Sequence, residues 1–193
     1  MFRRLLDPPP NHLEFGSFLD RLNRLEVEMN ALYERAPIAE HWDTRFMEMA
    51  REVASWSKDR SRKVGCVIVG PAREIRSTGY NGFPRGAADD VEARHQRPAK
   101  YRWTEHAERN AIYNAARAGI CTMGCAIYLP WYPCMDCARA IVQAGIYQVV
   151  AVEPDWNDPT FAADFEDVKQ LFTECGVEVR FVVGEAPKQK AVV

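Results

Sequence analysis

Two short motifs constrain this chain more than any other feature. They are His106-x-Glu108 and, beyond the 24 residues 109–132, Pro133-Cys134-x-x-Cys137. Each opens a predicted helix. Thr104 is a good N-cap for a helix with Ala107, Ala111, Ile112 and Ala115 on one face and Gly119 as its stop. Pro133 introduces a second helix with Ala138, Ile141 and Val142 inward, ended by Gly145. One imidazole and two thiolates are three ligands of the kind that hold zinc and leave a fourth position open. For them to meet, the fold has to bring two helix N-termini to one point. There the helix dipole and free N–H groups favour thiolates over thiols. Positions two apart do not share a helix face, so His106 and Glu108 converge only if the first turn is distorted or the metal lies off the helix end.

The remaining elements give such a junction a frame. In the leader, Phe18, Leu22, Leu25, Met29 and Leu32 recur at helical spacing before Pro37. A second helix starts at Asp43 as N-cap and turns Phe46, Met47, Ala50, Val53 and Ala54 to one side, ending at Ser57-Lys58-Asp59. Residues 64–69 form a β-branched run stopped by Gly70-Pro71, and 74–79 a poorer strand, spaced for an antiparallel hairpin. After the loop Gly79–Gly86 comes a long polar segment, 87–103, with Arg94, His95, Arg97, Lys100 and Arg102, read as a solvated basic face. Strands are expected at 125–129, 147–152 and 177–183. Between the last two lies a helix with Asp158 as N-cap, Pro159 at N1, Phe161, Phe165, Val168 and Phe172 inward, and Gly176 as its stop. Strand, helix, strand, helix, strand predicts parallel pairing with crossover helices.

Composition narrows the function. At 47% apolar, 27% charged and a formal net charge of −2, the chain has the make-up of a globular domain with no broad polynucleotide footprint. No apolar run is long enough for a membrane span, and Asp7-Pro8-Pro9-Pro10 interrupts any signal-peptide core, so a cytoplasmic location is expected. In a reducing compartment the six cysteines read as ligands or thiols, not disulfides. Cys66, Cys121, Cys125 and Cys175 are expected as buried or half-buried thiols.

His-x-Glu followed by Pro-Cys-x-x-Cys is the signature of zinc-dependent nucleobase deaminases, with His106, Cys134 and Cys137 on Zn2+ and Glu108 moving protons. Free water is a poor nucleophile with a pKa of about 15.7, which zinc can bring to about 7. A competing arrangement places Cys121, Cys125, Cys134 and Cys137 around a structural zinc in a non-catalytic interaction module. Trp131 and Tyr132 are read either as a face for a base or as a core plug.

Beyond the signature, the chain resembles the deoxycytidylate (dCMP) deaminase family. The resemblance rests on Ser57-Lys58-Asp59, on Gly79-Tyr80-Asn81-Gly82-Phe83-Pro84-Arg85-Gly86 with Asp89-Asp90 behind it, and on His106-Ala107-Glu108-x-Asn110-Ala111-Ile112. It continues through Pro133-Cys134-x-x-Cys137-Ala138, Ile141 and Gly145-Ile146. It implies an α/β fold, three-layer α/β/α around a five-stranded mixed sheet. This would be a deaminase domain over 42–184, after an N-terminal extension with one helix over 1–41 and before a flexible tail over 185–193. It implies hydrolysis of dCMP to dUMP and ammonia, homo-oligomers, and dCTP and dTTP as effectors. By motif position the substrate contacts are Asn81 at the sugar and Lys58 with Arg60 or Arg62 near the phosphate; Ala107, Trp131 and Tyr132 are further candidate substrate contacts. Phe83, Arg85 and Asp89 fall where an allosteric nucleotide would bind. The chain departs from the family pattern at the leader, at Glu105 beside His106, and at Trp131-Tyr132 before Pro133. The last two keep open a second reading, deamination of another amino-bearing base, nucleoside or nucleotide.

Overall fold

The computed structural model describes Arg21 and residues 40–184. The chain divides into a first unit, Met1–Pro37, and a second, Ile38–Val193, to which the sheet and its helices belong. The apolar seam from Phe18 to Leu32 and the tail lie outside the described residues. In chain order the elements are α1 (Glu40–Ser55), β1 (Gly65–Val69), β2 (Ile75–Tyr80), a 3-10 turn (Glu92–Arg94), α2 (Lys100–Trp103) and α3 (Ala107–Ala118). Then come β3 (Ala126–Leu129), α4 (Met135–Gln143), β4 (Gln148–Val152), α5 (Ala162–Glu174) and β5 (Glu178–Val182).

The five strands form one mixed sheet in the order β2-β1-β3-β4-β5. β1 runs antiparallel to both β2 and β3, while β3, β4 and β5 are parallel and joined through α4 and α5. Every residue of β1, β3 and β4 is buried, which is why these strands read as unbroken apolar runs: both of their faces are covered. Alternate side chains go to opposite layers. Cys66 and Ile68 pack with Ala107 and Ala111 of α3, Ile141 of α4 and Phe165 of α5. Val67 and Val69 pack with Phe46 and Ala50 of α1. The result is the three-layer α/β/α architecture expected from the sequence.

Gly79 sets how α3 meets the sheet. A Cβ there would lie 2.3 Å from the Ala107 carbonyl oxygen and 2.4 Å from the Ala111 nitrogen. Only glycine lets the first turn of α3 rest directly on β2.

Three expected caps act differently. Asp43 lies inside α1, buried, where it accepts a hydrogen bond from Tyr128 Oη at 2.9 Å and pairs with Arg180 at 2.7 Å. A tertiary ion pair claims the side chain that looked like a cap. Thr104 closes α2, its N–H bonding to Lys100 O, and His106 takes the N-cap position of α3. Asp158 caps the turn ahead of α5, accepting from the N–H groups of Thr160 and Phe161. Phe161 is the N-cap of that helix. Among the described residues, no helix is long and apolar enough to cross a membrane.

Candidate active site

The site is built at two helix N-termini, and a short β-bridge makes it possible. Gly82 and Glu105 exchange backbone hydrogen bonds of 3.0 and 2.8 Å. The bridge keeps the chain extended into His106, whose φ and ψ are −78° and 157°. His106 therefore stands ahead of the helix, and the spacing problem of residues two apart on a helix does not arise. Cys134 is likewise extended, at φ −77° and ψ 168°, as N-cap of α4, with Cys137 on the first turn. The free Met135 N–H of that turn is bound by Asp164 Oδ2 at 3.2 Å, fixing α4 against α5.

His106 Nδ1 lies 3.5 Å from Cys134 Sγ and 3.5 Å from Cys137 Sγ. All three ligand atoms lie within 4.8 Å of one another. A tetrahedral zinc with Zn–S of about 2.3 Å and Zn–N of about 2.05 Å requires an N···S separation of roughly 3.5 Å. The donor set thus fits zinc in identity and in spacing. Cys121 and Cys125 are not part of it. Cys125 Sγ instead faces the carbonyls of Cys121 and Met123, so the four-cysteine arrangement does not assemble. Cys66 and Cys125 are buried as expected, whereas Cys121 and Cys175 are exposed. Both exposed residues sit in or next to turns that come after helices, outside the core.

The electrostatics belong to a ligand set poised to exchange protons for a cation. The Cys137 thiol bonds to Cys134 and, with His106 beside it, outweighs burial to bring the Cys134 thiol down to about 4. The same contact with Cys134 lifts His106 to about 9 and raises Cys137. The protons on His106 and Cys137 are those that metal binding would release. Glu108 is 4% exposed. Burial raises its carboxyl, opposed by His106 and reinforced by Cys134, which suits a group that must both take and give a proton.

These residues open into a cavity of about 320 Å³ lined by His106, Ala107, Glu108, Cys134, Trp131 and Asn81 among others. Asn81 also braces it. Its Oδ1 accepts from Val64 N at 2.8 Å, and its Nδ2 donates to Arg62 O at 2.9 Å and Asp59 Oδ2 at 3.2 Å. With both amide protons engaged, Asn81 has one lone pair left to offer a ligand. Asp59, buried, pairs with Lys100 at 2.8 Å, tying the loop after α1 to α2.

Adjacent residues Trp131 and Tyr132 point opposite ways. Trp131 forms a pocket wall, edge-on to Phe161 and Phe165. Tyr132, expected beside the base, is 1% exposed and packs among Trp156, Phe165, Phe172 and Phe181, outside the cavity. The core-plug reading thus applies to Tyr132, while Trp131 lines the cavity. Glu105 also points away from the cavity, to Arg109 at 2.5 Å.

Lys58 and Arg60, expected at the substrate phosphate, line a separate cavity of about 140 Å³ together with Phe83 and Asp89. Lys58 pairs with Asp89 at 2.6 Å and Arg60 with Glu92 at 2.5 Å. Arg85 donates to Asn114 Oδ1 at 2.7 Å and lies outside both cavities. The larger cavity takes its positive charge from Arg62, Arg97 and Lys100. Two of these come from the polar segment that looked like a solvated face. Sequence reasoning also missed Phe161 and Phe165 as pocket walls. Their helical spacing marks them as inward, but an inward face does not reveal whether it meets core or cavity.

Residues 40–153 match the family described as the cytidine and deoxycytidylate deaminase zinc-binding region. The chain belongs to this family. It is 40% identical to an uncharacterized deaminase in the luxG 3′ region of Aliivibrio fischeri, across 73% of this chain and 93% of that one. It is 35% identical to the deoxycytidylate deaminase of Homo sapiens, across 76% and 83% respectively. Among solved structures, the dCMP deaminase of cyanophage S-TIM5, crystallised with dCMP and dUMP, superposes with a TM-score of 0.57 at 25% identity, covering 72% of this chain and 95% of that one. This protein is a hydrolytic deaminase.

Proposed function

We propose that this deaminase converts dCMP to dUMP and ammonia with one zinc held by His106, Cys134 and Cys137. The observation that carries the reading is the three-ligand cluster at 3.5 Å spacing with buried Glu108 beside it, at the wall of a nucleotide-sized cavity. The deoxycytidylate deaminases among its relatives support the choice of substrate.

When bound, zinc would supply Lewis acidity that makes a water a competent nucleophile near neutral pH. The remaining work falls to the chain. Glu108 takes a proton from the attacking water and delivers it to N3 of the cytosine ring as oxygen adds at C4. It then carries the second proton to the exocyclic amine, which leaves as ammonia, so that dCMP and water become dUMP and ammonia. Burial of Glu108 keeps its basicity high enough for both transfers. Trp131, Phe161 and Phe165 exclude water from one side, and Asn81 offers its remaining lone pair to the sugar.

Phe83 and Asp89, beside Lys58 and Arg60 in the second cavity, would face an effector nucleotide such as dCTP or dTTP only after Lys58 and Arg60 exchange Asp89 and Glu92 for its phosphates. Six cysteines, none in a disulfide and two of them the proposed zinc ligands, fit a reducing compartment such as the cytoplasm. The test is ammonia release from a panel of dCMP, CMP, deoxycytidine, dAMP and guanine by purified, zinc-loaded protein. The proposal expects the highest kcat/KM on dCMP; a higher value on a purine or a free base refutes the substrate assignment.

A further inference from the structure

The two helix starts at the metal site are not closed by their own cap residues. His106 and Cys134 stand at the N-caps of α3 and α4, and neither side chain makes a cap hydrogen bond. Each start carries positive partial charge from its free N–H groups, and bringing two such ends to one point is unfavourable unless acidic neighbours offset it. On the α4 side Asp136 lies in the first turn, and Asp164 accepts from Met135 N–H at 3.2 Å. On the α3 side the acid is Glu105, at a position where the chain departs from the family pattern.

Glu105 is held by both backbone and side chain. Its backbone makes the bridge to Gly82, and its Oε1 accepts from His106 N–H at 3.1 Å and from Arg109 Nε at 2.5 Å. One turn into α3, Arg109 turns the rest of its guanidinium to the other helix, where its Nη1 lies 3.6 Å from Asp136 Oδ2. Asp136 stands between Cys134 and Cys137 and also pairs with Arg139. A chain of charges thus runs from the residue before one metal ligand to a residue between the other two. Among the described residues, Arg109–Asp136 is the one ion pair that joins α3 to α4. The side chains of Glu105 and Arg109 are each 23% exposed, so water and salt screen their pair less than one on open surface.

We infer that Glu105, Arg109 and Asp136 are positioning residues that tie the two halves of the metal site together and hold His106 in register with Cys134 and Cys137. The inference rests on the zinc reading above. None of the three lines the larger cavity, so their effect reaches the metal through the backbone of its ligands. Glu105 acts through His106 N–H, and Asp136 through the turn that carries both cysteines. Partners that grip a metal ligand's side chain typically change metal affinity by about 10- to 100-fold. This bridge grips the backbone instead, and a smaller effect of roughly 3- to 10-fold is expected.

The test is the zinc dissociation constant of the full chain, measured by competition with a chelator, for wild type, Glu105→Gln, Arg109→Gln, the double variant and Asp136→Asn. Glu105→Gln keeps an oxygen for His106 N–H and removes only the charge. Positioning predicts that each single variant weakens zinc by roughly 3- to 10-fold, and that the double variant is no weaker than the worse single one. A through-space charge effect acts otherwise. Glu105→Gln removes a negative charge and Arg109→Gln a positive one, so their effects on a bound cation have opposite sign. Opposite signs, additive losses or a constant unchanged throughout overturn the inference. Cobalt(II) in place of zinc gives a second readout, since its visible bands report the geometry of the ligands. The bands should shift in Arg109→Gln and keep their wild-type form in Arg139→Gln, which leaves Glu105, Arg109 and Asp136 in place. A merely structural bridge would lower the melting temperature of the metal-free chain and leave both the zinc constant and the cobalt bands unchanged. A wild type that takes up no zinc refutes the deaminase reading itself, whereas zinc bound equally by every variant refutes the bridge alone.

Discussion

Gly79→Ala should damage catalysis from a position that touches no substrate. The added Cβ would stand 2.3 Å from the Ala107 carbonyl oxygen, and ordinary contact begins at 3.4 Å, so β2 and the start of α3 must part by about 1 Å. Both atoms it meets are backbone, so no side chain can swing aside. Glu108 rides on that first turn and His106 caps it, whereas Cys134 and Cys137 belong to the start of α4 and stay behind. A displacement of about 1 Å in a reacting geometry costs on the order of 100-fold in rate. Overpacking at a helix–sheet contact costs about 1–3 kcal/mol, or roughly 2–12 °C in Tm for a domain of this size. Gly65→Ala is the control. Its Cβ would meet the Ala50 carbonyl oxygen at 2.1 Å, on the α1 side of the sheet, away from the metal ligands. Both variants should lose Tm by similar amounts, but only Gly79→Ala should lose kcat per folded, zinc-loaded molecule. If Gly79→Ala keeps its kcat, or if Gly65→Ala loses as much, the claim that this contact positions His106 and Glu108 is wrong.

Single contacts carry further expected outcomes. Replacing Cys121 and Cys125 together by serine should leave one zinc per chain, and replacing Cys137 alone should release it; metal analysis of the purified variants separates this from a four-cysteine site. Tyr132→Phe removes a buried hydroxyl that has no partner among the described residues. Its Tm should hold or rise and kcat/KM should stay put, whereas Trp131→Ala should raise KM; a rise in KM for Tyr132→Phe would return that residue to the pocket. For Asp59, burial acts to raise the carboxyl, but Lys100 and the N–H groups of Ser61 and Arg62 outweigh it, and the net value lies below the ordinary one. A carboxyl lowered on folding contributes stability above its unfolded value of about 3.9, and this is lost as pH falls through the folded value. Melting temperature should thus fall more steeply below a pH of about 4 in wild type than in Asp59→Asn, and parallel acid limbs would contradict the pairing with Lys100.

The layers and the convergence of His106, Cys134 and Cys137 were legible in the sequence because both rest on local rules. Cys66 to Val69 and Val149 to Val152 are apolar without interruption since both faces of their strands are covered. Cys134 and Cys137 are one helical turn apart, and that spacing is enough to bring them together. What could not be read depended on which distant partner claims a side chain. Asp43 has the chemistry of a cap, but Arg180 and Tyr128, far away in sequence, engage it. Thr104 stands where a cap belongs, yet the Gly82–Glu105 bridge moves the start of α3 past it. Lys58, Arg60, Arg62 and Arg97 are equivalent as letters. Only the path of the loop after α1 sends Lys58 and Arg60 to Asp89 and Glu92 while Arg62 turns onto Trp131. Tyr132 directly follows Trp131 beyond the end of β3, and the two part, one to the cavity and the other to the core.

The proton-transfer role of Glu108 is tested most simply by Glu108→Gln, assayed for zinc content and for ammonia release from dCMP. The ligands His106, Cys134 and Cys137 are untouched by the substitution, so the variant should carry one zinc per chain as wild type does. Without a carboxylate to move protons, turnover should fall by at least about 10²- to 10⁴-fold. Wild-type turnover by this variant at full zinc occupancy would contradict the assignment of Glu108 and the mechanism built on it.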